Sequence, residues 1–374
     1  MLQKCNQNQL GYISRDCADC GQKEFLGHTC CNNRHCPDDG ARKREEWAEK
    51  VQERLPQGRY FQVVFTIPHQ FNSLCFCESN RRVIFDAIMK ASMETLRQFS
   101  NESFDGDAFI LSLLHTWDQA MQLHIHTHCL ISAKFLSEKD GKWREARKFL
   151  FAQRALAKVF QARFLRLLES SIESPDPYNT LYLQSEGKRS DIGSWYEFNN
   201  ALPKKWHVYV GKPMKTNCNV IKYFARYVNR TGITNSRVLS FNDEEVHLLP
   251  KKKEAIDLHK DQKKGVDDSK KGKPTNEPII VPLADFVQRF VQHFLPKNFH
   301  RIRYAGLASP SSKKGRELSK ARKDAKAAAV AAHPLQPARC SRCQGSNVWL
   351  VVVRISPSSG GVVTTRKRLY ESSA

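Results

Sequence analysis

Apolar positions along this chain recur with two periods, and the change from one to the other outlines an α+β protein. In ARKREEWAEKVQERL (41–55), Trp47, Val51 and Leu55 fall at helical spacing among charges, which predicts an amphipathic helix. RYFQVVFTIP (59–68) is a continuous apolar run ended by Pro68 and predicts a buried strand. Val83, Ile84, Ile88, Met93, Leu96 and Phe99 share one side of a predicted helix over 81–99, and 143–170 carries a longer apolar-and-basic helical pattern. Between them, AFILSLLHTW (108–117) and LHIHTHCLISA (123–133) are strand-like runs split by a polar break, which predicts a hairpin. WHVYVG (206–211) reads as a short strand, NVIKYFARYVNR (219–230) as a helix, and SRVLSF-ND-EEVHLLP as a hairpin turned at Asn242-Asp243. A strand and a helix follow in IIVPLADFVQRFVQHFLP. The stretch 171–200 is looser and polar, 251–275 has almost nothing to bury and reads as an exposed loop, and 311–334 reads as a solvated helix or linker. Without regular βαβ alternation, these elements point to a largely antiparallel sheet.

Length and charge narrow the reading. The 374 residues leave room for two or three domains, and a hydrophobic content of 40% is enough for a core. No apolar run approaches the roughly 18 residues of a membrane span. The start MLQKCNQNQLGYISRDCADC lacks an apolar signal region, so a cytoplasmic protein with no membrane partner is expected. The 60 Lys and Arg against 38 Asp and Glu give a net charge of +22, for which nucleic acid is the default counterpart.

Cysteines and histidines add chemistry. Six of the 12 cysteines precede residue 37: Cys5, Cys17, Cys20, Cys30, Cys31 and Cys36. Two close pairs of thiolates suit tetrahedral zinc, which supplies folding energy that so short a segment cannot draw from its own core. Cys17, Cys20, Cys31 and Cys36 are the expected ligands, with Cys5, His28, Cys30, His35 and Asp39 in reserve. The pair Cys340-x2-Cys343 has no visible partner pair and is the weaker signal. His124, His126 and His128 alternate along one strand, so their imidazoles share a face at about 7 Å intervals. Three histidines on an apolar strand favour a metal site over packing, because each ring needs a polar partner. Tyr223 and Tyr227 stand four residues apart, one above the other on a helix about 6 Å along its axis. A YxxxY is ordinarily a buried face, but here Lys222, Arg226 and Arg230 surround the pair, with Lys212 and Lys215 upstream, a setting suited to phosphate.

At these residues the chain resembles the HUH endonucleases with two catalytic tyrosines, and in motif order the rolling-circle transposases of the insertion sequence 91 type. The matching segments are CNNRHCP (31–37), VVFTIPHQFN (63–72), LHTWDQAMQLHIHTHCLISA (114–133), YFARYVNRTGITNSRVLSF (223–241) and FLPKNFHRIRYAGLAS (294–309). The resemblance implies that His126 and His128 are a metal pair, with Thr127 where a hydrophobic residue is usual. It also implies that Tyr223 and Tyr227 are nucleophiles, and that the catalytic ion is Mg²⁺ or Mn²⁺ rather than zinc. His124 and His115 are both candidates for the third ligand. The expected substrate is single-stranded DNA at transposon ends and target, nicked and rejoined through a 5′-phosphotyrosine, and the expected place of action is the bacterial nucleoid. The zinc segment runs HCPDD where the family has HCPxC, so Asp39 stands in place of a cysteine. The expected division is 1–55 for the zinc module and connecting helix, 56–310 for an HUH-type catalytic domain, and 311–374 for a basic tail. The rival classes are a non-catalytic zinc-containing nucleic-acid-binding protein and a metal-dependent nuclease using water.

Overall fold

The computed structural model describes residues 8–29, 31, 36, 41–52, 54–118, 120–147, 150–172, 174–176, 179–183, 193–214, 220–221, 224, 228, 232–233, 237–249, 278–332, 338–356 and 361–369. The chain forms two compact units, one of residues 48–228 and 236–319, the other of residues 1–47, 229–235 and 320–374. In chain order the elements are β1 (Gly11–Cys17), β2 (Lys23–His28), α1 (Ala41–Gln52), β3 (Tyr60–Thr66), α2 (Phe71–Leu74), α3 (Glu78–Phe104), β4 (Asp107–Trp117), β5 (Leu123–Leu136), β6 (Trp143–Glu145), α4 (Gln153–Ile172), α5 (Trp195–Asn200) and β7 (Val208–Val210). They continue with β8 (Val238–Phe241), β9 (Glu245–Leu248), β10 (Ile279–Pro282), α6 (Leu283–Gln292), β11 (Ile302–Gly306), α7 (Lys313–Ala332), β12 (Val348–Ile355) and β13 (Val362–Arg368). The fold class is α+β, and no helix among the described residues is long and apolar enough to cross a membrane.

The larger unit is built on a sheet of order β11-β4-β5-β3-β7, antiparallel throughout, with β6 paired to the end of β5. Strand alternation sorts β5: Ile125, Thr127, Cys129, Ile131, Ala133 and Phe135 are all buried, and the intervening His124, His126 and His128 face the other way. The buried side of the sheet meets α3 and α4 through Ile84, Ile88, Leu96, Phe160 and Phe164. Phe65 of β3 lies 4.8 Å from Phe160, and Phe71 of α2 meets Phe164 edge-on at 5.2 Å. The expected hairpin at Asn242-Asp243 forms as β8–β9, where Asn242 Oδ1 accepts from the backbone N–H groups of Glu244 and Glu245. The helical pattern over 143–170 resolves differently: Trp143–Glu145 add a short strand to β5, and α4 begins only at Gln153.

The smaller unit departs furthest from expectation. Its sheet has the order β13-β12-β1-β2, so the two chain ends share one structure. β12 pairs along all of β1, from Gly11↔Arg354 to Cys17↔Val348. The tail is therefore half of the sheet that carries the N-terminal cysteines. The expected division put 1–55 in a zinc module with its connecting helix and 311–374 in a basic tail; β1 and β2 of the first share their sheet with β12 and β13 of the second.

Candidate functional site

The β4–β5 register sets His115 directly opposite His126. Their nearest neighbour on the same face is His128, and the ligand atoms of His115, His126 and His128 all lie within 4.8 Å of one another. His115 is buried, and its ring centroid stands 5.3 Å from that of His126 and 4.6 Å from that of His128. His124 is exposed at the outer end of the row, with its ring 4.9 Å from His126, and is not in the group. Of the two candidates for a third ligand, His115 is therefore the one brought to the pair.

Each neighbour of these rings bears on which nitrogen is free. His126 Nδ1 lies 2.8 Å from the His124 carbonyl, to which it can only donate, leaving Nε2 with its lone pair. His128 Nδ1 lies 2.8 Å from Gln62 Nε2 of β3. Burial pushes His126 down to about 4, reinforced by the His124 charge and opposed by the bond to the His124 carbonyl. Burial, then the His126 charge, holds His128 well below the ordinary histidine value. Neutral imidazoles gathered at one point are what a divalent ion requires. Beside them Trp117 stacks on His115 at 4.8 Å, and the Arg301 guanidinium lies 5.4 Å over the Trp117 ring. Lys212 is exposed just beyond β7, next to Gly211, whose N–H donates to the Gln62 carbonyl at 2.8 Å.

Tyr223, Tyr227, Lys222, Arg226 and Arg230 lie outside the described residues. Within the same segment Val220, Ile221 and Phe224 are helical and buried, and Val228 is buried too.

The second constellation is made of sulfur. The Sγ atoms of Cys17, Cys20, Cys340 and Cys343 all lie within 4.8 Å of one another, with Cys17–Cys343 and Cys20–Cys340 each at 3.7 Å. N–H donors from Cys343 and Arg342 hold the Cys340 thiol down to about 7. The set expected from spacing, Cys17, Cys20, Cys31 and Cys36, is thus brought together only in its first half. Half-buried Cys31 and buried Cys36 stand outside the group, because full-length pairing of β12 with β1 carries the C-terminal pair to the first knuckle instead. Two signals for this lay in the sequence: CADCG and CSRCQG are both knuckle-like, and each precedes a strand-forming run. Gln62, a polar residue inside the apolar run of β3, gave none.

Two family models match the chain. One, described as "Putative transposase", matches residues 110–316, and the other, described as "Transposase zinc-binding domain", matches residues 1–67. The chain is 26% identical over 309 residues to "Putative transposase y4qJ" of Sinorhizobium fredii, covering 82% of this chain and 72% of that protein. It is 24% identical over 308 residues to "Transposase for insertion sequence element IS801" of Pseudomonas savastanoi pv. phaseolicola, covering 81% and 67% respectively.

Proposed function

Since the chain belongs to the transposases of the insertion sequence 91 type, with a zinc-binding domain at its N-terminus, we propose that it nicks and rejoins single-stranded DNA by transesterification. The observation that carries this reading is the convergence of His115, His126 and His128 on one face of the hairpin β4–β5. Three neutral imidazoles fit Mn²⁺ better than Mg²⁺, which prefers an all-oxygen shell, and either ion is admitted by the reading. His115, His126 and His128 would hold the ion, which would supply Lewis-acid polarisation of the scissile phosphate.

The chain's own groups do the rest. The phenolic oxygen of Tyr223 or Tyr227 attacks phosphorus in line. A bond forms from the phenolic oxygen to phosphorus, the bond from phosphorus to O3′ breaks, and the phenolic proton is lost as the departing O3′ becomes a hydroxyl. The DNA 5′ end is then held as a phosphotyrosine, and attack by a 3′-hydroxyl reverses the step and frees the tyrosine without ATP. With a second tyrosine four residues away in the sequence, a second strand can be cut while the first end is still held. Lys212, Lys222, Arg226 and Arg230 are the proposed phosphate contacts.

The test uses a labelled single-stranded oligonucleotide bearing the element's terminal sequence, the full chain and Mn²⁺, resolved on denaturing gels. A covalent adduct is expected, reduced by Tyr223→Phe or Tyr227→Phe, abolished by both together, and suppressed by His115→Ala. Cleavage that leaves no adduct and survives the double Phe change would mean that water is the nucleophile and the proposal is wrong.

A further inference from the structure

We infer that the structural zinc is held by both ends of the chain, through Cys17 and Cys20 of the N-terminal knuckle and Cys340 and Cys343 of the C-terminal one. Neither family model reaches these last two residues, since the matches end at residues 67 and 316. The assignment stands on three independent features of the smaller unit.

The two knuckles have the same backbone. The Gly21 N–H donates to the Cys17 carbonyl at 3.0 Å, as the Gln344 N–H does to the Cys340 carbonyl at 3.0 Å. The Cys17 N–H donates to the Gln22 carbonyl and the Cys340 N–H to the Gly345 carbonyl, both at 2.9 Å. Gly21 and Gln344, at matching places after the second cysteine, are both left-handed, with φ of 71° and 59°. A non-glycine residue at positive φ is uncommon and marks a position that the surrounding structure dictates.

The sulfur spacing matches a metal. Zinc–sulfur bonds of about 2.3 Å in a tetrahedron place neighbouring sulfurs about 3.8 Å apart. The two cross-knuckle separations are each 3.7 Å. A disulfide would need about 2.05 Å. The approach is also built in from outside the thiols. The Ala18 N–H donates to the Asn347 carbonyl at 2.9 Å, and the Asn347 N–H to Asp19 Oδ2 at 3.2 Å. A Cβ on Gly345 would push the Asp19 carboxylate off its place beside the Asn347 N–H and crowd Cys343 Sγ.

The experiment takes the full-length chain, measures bound zinc, and records the absorption spectrum after replacement of zinc by cobalt. The spectrum of a four-thiolate tetrahedral site is expected. Cys343→His, at the most exposed of the four positions, should retain metal while shifting the cobalt bands to shorter wavelength, as one sulfur gives way to nitrogen. Cys340→Ser with Cys343→Ser should remove one zinc per chain and erase the four-thiolate spectrum. Cys31→Ser with Cys36→Ser should leave that spectrum in place. The inference is overturned if Cys343→His leaves the spectrum unchanged, or if the Cys31/Cys36 pair of changes is the one that erases it. Because the His variant still binds metal, its shift distinguishes ligation from failure to fold.

Discussion

Gln62 stands where it can decide whether His128 is able to bind a metal. A metal at His128 Nε2 needs the proton on Nδ1, and so an acceptor opposite Nδ1. The Gln62 amide presents its nitrogen to Nδ1 at 2.8 Å, and a half-turn presents the oxygen instead. Gln62→Leu removes the acceptor and should weaken Mn²⁺ binding by about 10–100-fold, the usual cost of losing such a partner. Gln62→Glu supplies a permanent acceptor and should bind Mn²⁺ at least as tightly as the native chain. Titrating the full chain with Mn²⁺ by calorimetry checks both, and native affinity in Gln62→Leu would show that Gln62 does not set the tautomer. How legible each residue was follows from how local its signal is. His126 and His128 declare themselves through a period of two. The choice of His115 over His124 depends on the β4–β5 register, which spacing within one strand does not contain.

At the scale of elements, the turn end of the β4–β5 hairpin is tied to the residue that follows α6. His293 Nε2 lies 3.0 Å from the Met121 carbonyl and Nδ1 3.2 Å from Thr116 Oγ1, in a buried position. Burial pushes this imidazole down to about 4, opposed by the Met121 carbonyl and Asp118 and aided by Arg81. At pH 7 it is neutral in the folded chain and mostly neutral in the unfolded one, so it contributes little pH dependence there. As pH falls below 6.5 the unfolded chain takes up the proton first, so stability declines, by roughly 3 kcal/mol by pH 4. His126 acts in the same direction, so His293→Gln should remove only its own share. Thermal melts between pH 7 and 4.5 should show a shallower fall for that variant, and an identical slope would count against the role. Elements that the sequence revealed are those whose partners are near in the chain: β3, the β4–β5 and β8–β9 hairpins, α3 and α4. The four strands of the smaller sheet carry weaker signals. β1 is largely polar, β13 is exposed at every position, and β12 finds its partner more than 300 residues away, where periodicity carries no information. β6 was hidden for a related reason, since pairing with the end of β5 overrides the helical pattern of Trp143–Glu145.

For the whole molecule, the two units differ in what holds them. The larger has an extensive apolar core running from Phe61 to Phe299. In the smaller, the buried cluster around the knuckles is Cys17, Cys340 and Val348, backed by Cys20 and Leu369. Among the described residues this cluster is small for a sheet of four strands. Structural zinc contributes about 10–16 kcal/mol in small zinc-binding peptides, so the metal is expected to be a large part of this unit's support. The basic surface bears on the same unit, since four thiolates around one Zn²⁺ offset two of the 22 excess positive charges and Arg366, Lys367 and Arg368 lie exposed on β13. Removing zinc from the intact chain with a strong chelator should therefore act on one unit and spare the other. Hydrogen exchange read by mass spectrometry should show β1, β2, β12 and β13 losing their protection together. The amides of β3, β4 and β5 should exchange as slowly as before. Loss of β1 and β2 alone, with β12 and β13 still protected, would mean that the C-terminal hairpin does not depend on the metal. Equal loss across β3–β5 would mean that the two units unfold as one.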